Sequence, residues 1–121
     1  MIIGQLDLAQ DFDQIAIVVD WLDACRARDL EALLDLYSHD ASLECACNER
    51  KILRGRSELA SYWGPRLGDF SPNAFGLDEI TPEVGGVVLH HISFEGKPVR
   101  TLFAFDGNGK IVKTCCEPSA A

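Results

Sequence analysis

The sequence predicts an α+β fold, with helices gathered near its start and packed on one face of a mainly antiparallel sheet. Two observations carry this. Apolar residues recur with the helical period as far as the Gly64-Pro65 pair, and from Phe75 onward they alternate with the two-residue period of strands. The second half is also punctuated by the turn sequences Glu95-Gly96-Lys97-Pro98 and Asp106-Gly107-Asn108-Gly109, as a meander of hairpins requires.

The 121 residues predict one domain, 1–121, with its core over about 11–117. Residues 1–10 read as a lead-in. Asp11 and Gln14 then stand as N-cap and N3 of a capping box. Phe12, Ile15, Val19 and Leu22 follow at helical spacing, and Val18, Trp21 and Cys25 widen the apolar face. Arg26 and Arg28 close this helix at the end where cations suit its dipole. Asp29 caps a second helix that carries Leu30, Leu33, Leu34 and Tyr37 on one face. Ser38-His39-Asp40 reads as a turn into a short strand over 41–45. A third helix opens at Gly55-Arg56-Ser57-Glu58 and packs through Leu59, Tyr62 and Trp63, and Gly64-Pro65 should end or kink it. Strands are expected over 75–80, 87–94, 99–105 and 111–116.

Charge and composition exclude several classes of function. With 11 basic residues against 19 acidic ones, net −8, the chain has too few cations to neutralise nucleic-acid phosphates or to bind an anionic membrane. No apolar stretch approaches the ~20 residues that span a bilayer. The first residues lack the basic and apolar regions of a secretory signal, which points to the cytoplasm. The five cysteines are an odd set, and Cys115 and Cys116 are adjacent, which speaks for reduced thiols rather than a disulfide framework. Cys45, Cys47, Cys116 and His90 are the one conceivable metal set. Their spacing is not that of a structural zinc module, so neither metal nor cofactor is expected.

Several strings resemble the NTF2-like superfamily, which includes SnoaL-like proteins, ketosteroid isomerases, polyketide cyclases and dehydratases. Arg28-Asp29-Leu30-Glu31-Ala32-Leu33 is similar to its helix break, and Leu36-Tyr37-Ser38-His39-Asp40-Ala41-Ser42-Leu43 to its helix-to-strand segment. Ile52-Leu53-Arg54-Gly55-Arg56-Ser57-Glu58-Leu59, running on to Tyr62-Trp63, resembles the start of its third helix, and Phe105-Asp106 with Gly109-Lys110-Ile111 its last hairpin. The resemblance covers 11–117. It implies three helices wrapped by a strongly curved, mainly antiparallel sheet, the cystatin-like cone, whose interior takes small and often apolar molecules. It also implies a homodimer through the outer sheet face. It does not imply one reaction, because the fold hosts many.

In ketosteroid isomerases a carboxylate moves the proton while a Tyr and a protonated Asp hold the enolate oxygen. The resemblance places Cys45 at the base position, and Trp21 and Thr101 at the two oxyanion positions. No carboxylate remains to take the proton.

Strand alternation suggests what else faces inward. In the strand over 99–105 the inward set is Val99, Thr101, Phe103 and Phe105. A two- or four-residue loop at Glu95–Pro98 then turns Val88, His90, Ile92 and Phe94 inward and His91 outward, and a three-residue loop reverses the choice. A four-residue loop in the last hairpin puts Val112, Thr114 and Cys116 inside and Cys115 outside. The expected ligand pocket is Trp21, Cys45, Trp63, His90, Thr101, Phe103, Thr114 and Cys116. His90 is its only group titrating near neutrality and the candidate general acid/base. Two readings stay open: a lyase-, isomerase- or cyclase-type enzyme using His90, and a non-catalytic domain that binds a small, mostly apolar ligand or dimerises.

Overall fold

The computed structural model describes residues 2–46 and 50–119, with side chains from residue 14 onward. Three helices, α1 (Ile2–Arg26), α2 (Leu30–Asp35) and α3 (Gly55–Gly68), accompany six strands. The strands are β1 (Tyr37–Cys45), β2 (Lys51–Arg54), β3 (Leu77–Glu83), β4 (Gly86–Ile92), β5 (Pro98–Phe105) and β6 (Ile111–Pro118). They form one mixed sheet in the order β2-β1-β6-β5-β4-β3. Every neighbouring pair is antiparallel except β1 with β6. Helix α3 packs on β1 and β2, and α1 packs on β3 and β4 at the other end. The two helices thus cover opposite ends of one face of a curved sheet. Among the described residues no helix is long and apolar enough to cross a membrane.

Helix α1 is already under way at Asp11, so that residue is not its N-cap and residues 2–10 are helical rather than a lead-in. No proline interrupts them, and the apolar and helix-favouring residues there continue the pattern backward. The buried stripe is Val18, Trp21, Leu22 and Cys25, while Val19 is 40% exposed and lies off it. The helix ends in a Schellman turn. Asp29 N–H donates to the Ala24 carbonyl and Arg28 N–H to that of Cys25, with Arg28 itself in the left-handed region at φ 59°. The Arg28 side chain then crosses to α3, donating to the Gly68 carbonyl at 2.8 Å and lying over the Phe70 ring.

That contact explains why α3 does not stop at Gly64-Pro65. Pro65 removes one N–H donor, but the burial of Leu67 and the Arg28 guanidinium on the last carbonyls hold one more turn. Helix α2 is shorter than its apolar spacing suggested, and Tyr37 instead opens β1. Residues 38–40 are the irregular stretch of that strand, between the Tyr37–Ile111 and Ser42–Lys113 pairings. The short edge strand β2 was not anticipated. Phe75 precedes β3 rather than starting it.

The hairpins set which residues face the helices. In the β4–β5 connection Ser93 N–H donates to the Lys97 carbonyl, leaving the three-residue loop 94–96 with Gly96 at φ 85°. Odd residues therefore pair with odd ones: Leu89 with Thr101, His91 with Val99. The β5–β6 loop is also three residues, 107–109, with Gly109 at φ 80°. An irregularity between Ala104 and Phe105 in their pairing with β6 absorbs Val112, which restores odd-to-even pairing from Phe103–Thr114 onward.

At the helix break, Asp29 Oδ1 accepts the Ala32 N–H at 3.1 Å. Asp29→Ala should therefore lower stability by about 1 kcal/mol, read from urea denaturation midpoints, while Asp29→Asn should lose much less.

Candidate functional site

One cavity opens between α1, α3 and the concave sheet face. Trp21, Leu43, Trp63, Phe75, His91, Ser93, Thr101 and Thr114 form its buried wall. Cys45, Tyr62, Arg66, Phe94 and Cys116 are half-buried around them, and Glu95 is exposed at the rim. The space open to the centre of a water-sized sphere is about 70 Å³. One water needs roughly 10–15 Å³ by that measure, so a compact organic group fits.

Trp21 stands at the middle of the wall. Its ring meets Phe103, His91, Trp63 and Phe75 edge-on, at centroid distances of 5.2, 5.5, 5.6 and 6.1 Å. Its indole N–H donates to the Tyr37 hydroxyl at 3.1 Å. Burial pushes the Tyr37 phenol up to about 12, against the pull of that hydrogen bond, so it stays neutral. Thr114 and Trp63 also turn polar atoms toward Tyr37 without forming a well-shaped hydrogen bond. Thr114 Oγ1 and Trp63 Nε1 are buried and complete no other hydrogen bond among the described residues. Burial likewise pushes the Tyr62 hydroxyl far above its usual range, and the neighbouring Cys45 thiol adds to the effect.

The wall histidine is His91, not His90. The expectation that His90 points inward is overturned, because the β4–β5 loop has three residues and the parity of the strand reverses. His91 is 4% exposed and His90 lies on the opposite face. Val88 and Ile92 move off the wall with His90, and Leu89 and Ser93 take the inward side. His91 Nδ1 lies 3.2 Å from the Ile92 carbonyl and Nε2 lies 3.0 Å from Thr101 Oγ1. A carbonyl can only accept, so Nδ1 carries the proton and the Thr101 hydroxyl donates to Nε2. Desolvation drives the His91 pKa down to about 4, opposed by the Ile92 hydrogen bond.

Of the residues expected together, Trp21, Cys45, Trp63, Thr101, Thr114 and Cys116 line this cavity. Phe103 lies behind it, fully buried against Trp21. Cys45 and Cys116 are paired across the parallel β1–β6 ladder. Cys25, Cys45 and Cys115 are free thiols among the described residues, and Cys47 lies outside them. Among the described residues no three His, Cys, Asp or Glu side chains cluster as metal ligands. Outside the cone, Cys115 donates to Glu44 at 2.9 Å, which with Lys113 holds the Glu44 carboxyl below its usual range.

Sequence reasoning missed Phe75 and Arg66. Phe75 adopts φ 60°, rare for an aromatic residue, and its carbonyl accepts two bonds from the Arg26 guanidinium, at 2.8 and 3.1 Å. Its ring lies nearly parallel to the His91 imidazole, 9° apart in plane. Nothing local in the sequence signals that backbone. Arg66 was legible in principle, since it stands three residues after Trp63 on the same helix face.

The model of the SnoaL-like domain matches residues 18–114. The chain belongs to the SnoaL-like domain family. A SnoaL-like protein of unknown function from Burkholderia thailandensis E264 superposes with a TM-score of 0.76 at 20% identity, covering 89% of this chain and 96% of its own. An NTF-2 like protein of unknown function from Burkholderia xenovorans LB400 gives 0.70 at 21% identity, with 93% and 89% covered. A hypothetical protein with a ketosteroid isomerase-like fold from Catenulispora acidiphila DSM 44928, in complex with trimethylamine, gives 0.64 at 15% identity, with 83% and 82% covered. At these identities the likeness is one of fold. None of the curated proteins matches the chain.

In this SnoaL-like domain the buried, neutral His91 makes stability depend on pH. Its folded pKa of about 4 lies below its ordinary 6.5, so the unfolded chain binds the proton first as pH falls. The contribution is complete above about pH 6.5 and is lost as pH drops toward 4, by up to ~3 kcal/mol. Urea denaturation at pH 7.5 and 4.5 should therefore show a larger acid loss for the native chain than for His91→Gln.

Proposed function

We propose that the cavity of this SnoaL-like protein binds one small, mostly apolar molecule. The observation that carries this reading is the cavity itself, walled by the rings of Trp21, Trp63 and Phe75 with few polar groups among them. Burial of a ligand's apolar surface against those rings would supply the affinity. The Catenulispora acidiphila protein, a chain of similar fold in complex with trimethylamine, adds support for a small-molecule site as such.

A second reading, an isomerase- or cyclase-type reaction, is favoured by the 3.0 Å contact between Thr101 and His91 on the cavity wall. There a proton would pass through the Thr101 hydroxyl to His91 Nε2. The low basicity of His91 sets this reading second, because a group with a pKa of about 4 is a poor base at neutral pH. The homodimer through the outer sheet face belongs to the same proposal.

Titration with benzyl alcohol, followed by quenching of the two tryptophans, Trp21 and Trp63, tests the binding reading. Saturable binding is expected. His91→Gln, which removes a ring from the cavity wall and frees the Thr101 hydroxyl, should weaken it about 5- to 30-fold, and His90→Gln should leave it unchanged. Equal effects of the two substitutions would remove His91 from the site.

A further inference from the structure

We propose that the ligand of this cavity is an organic anion, a ring-bearing carboxylate whose ring sits against Trp21 and Trp63 and whose carboxylate is held by Arg66. This rests on the reading of the cavity as a binding site and names the class of molecule it takes.

Arg66 is the sole cation among the residues that line the cavity. Its guanidinium is fixed in place before any ligand arrives. It lies 3.7 Å from the Tyr62 ring centroid and 4.9 Å from that of Phe94, and Nη1 donates to the Tyr62 carbonyl at 2.8 Å. Among the described residues the ion pairs are made by Arg26, Arg56, Arg100 and Lys113, and none by Arg66. Its Nε is buried and has no hydrogen-bond partner. A half-buried guanidinium without a counter-charge is an expensive arrangement in a protein that carries net −8 and has acidic groups to spare. The fork of N–H groups on a guanidinium matches a carboxylate in plane and spacing.

A guanidinium can only donate, so Arg66 calls for a ligand edge made of acceptors. An ammonium ligand such as trimethylamine would meet Arg66 as a like charge. The rest of the wall is aromatic and aliphatic, which suits a ring. The space of about 70 Å³ holds a compact group. Glu95, the exposed carboxylate of the lining, would disfavour a second negative charge on the ligand.

The test is calorimetric titration of the purified chain with phenylacetate, phenylacetamide and benzyl alcohol at low and high salt. Phenylacetate should bind about tenfold or more tightly than its amide, with a preference that shrinks as salt rises. Arg66→Gln should weaken the acid about tenfold or more and the amide far less, which brings the two to similar affinity. Arg66→Lys should recover part of the preference, and Glu95→Gln should enlarge it. Equal binding of acid and amide by the native chain, or equal weakening of both by Arg66→Gln in a variant with native circular dichroism, would overturn the inference and leave the binding site standing. Failure of all three probes to bind at millimolar concentration would overturn both.

Discussion

The cavity exists because the Trp21 indole is held edge-on to four rings from four different parts of the chain. Phe103 comes from β5, His91 from β4, Trp63 from α3 and Phe75 from the segment before β3. Each edge-to-face pair adds roughly 0.5–1.5 kcal/mol beyond the area it buries. Their shared centre matters more than their sum. Trp21 fixes the distance between α1 and the sheet, and its N–H reaches past the rings to Tyr37 at the start of β1. A smaller residue there would let the wall close on itself, and a larger one does not exist.

Around that centre, polarity is distributed unevenly. Tyr37, Thr101 and His91 hold one another or a backbone carbonyl in neutral pairs, and burial keeps the phenol protonated and the imidazole bare. Arg66, on α3, is the charged group of the lining, and its Nε has no hydrogen-bond partner among the described residues. The first group builds an uncharged wall and Arg66 gives it a direction. The cavity is thus apolar without being featureless.

Much of this was legible in residue spacing, and what escaped did so for identifiable reasons. The order of elements, the N-cap at Asp29 and the inward Trp21, Cys45, Trp63, Thr101 and Thr114 follow from periodicity and from strings similar to the NTF2-like superfamily. The His90–His91 choice depended on one loop, and Gly96 was the clue: a glycine in the third position of a three-residue hairpin takes the left-handed conformation that closes it. The last hairpin was assigned correctly for Thr114 and Cys116 through two deviations that cancel, a three-residue loop and the extra residue Val112. The run of α3 through Pro65 could not be read locally, because Arg28, far away in sequence, supplies the capping. Phe75 is the same kind of case, since its left-handed backbone is secured by Arg26.

The parallel pairing of β1 with β6 has a temporal consequence. β6 is the last of the six described strands to be made, yet it lies in the interior of the sheet, between β1 and β5. Until it arrives, β1 and its partner β2 have no hydrogen-bonded link to β5, β4 and β3, and two cavity residues, Thr114 and Cys116, are missing. A chain emerging from the ribosome can form α1, α2 and the β3–β4–β5 meander early, since those contacts are close in sequence. It must then hold two half-sheets apart, each with an open edge, until one strand zips them together. Folding should therefore be gated by a late, long-range closure, the slow step expected of non-local topologies. The cavity wall is completed only at that moment, as its final product.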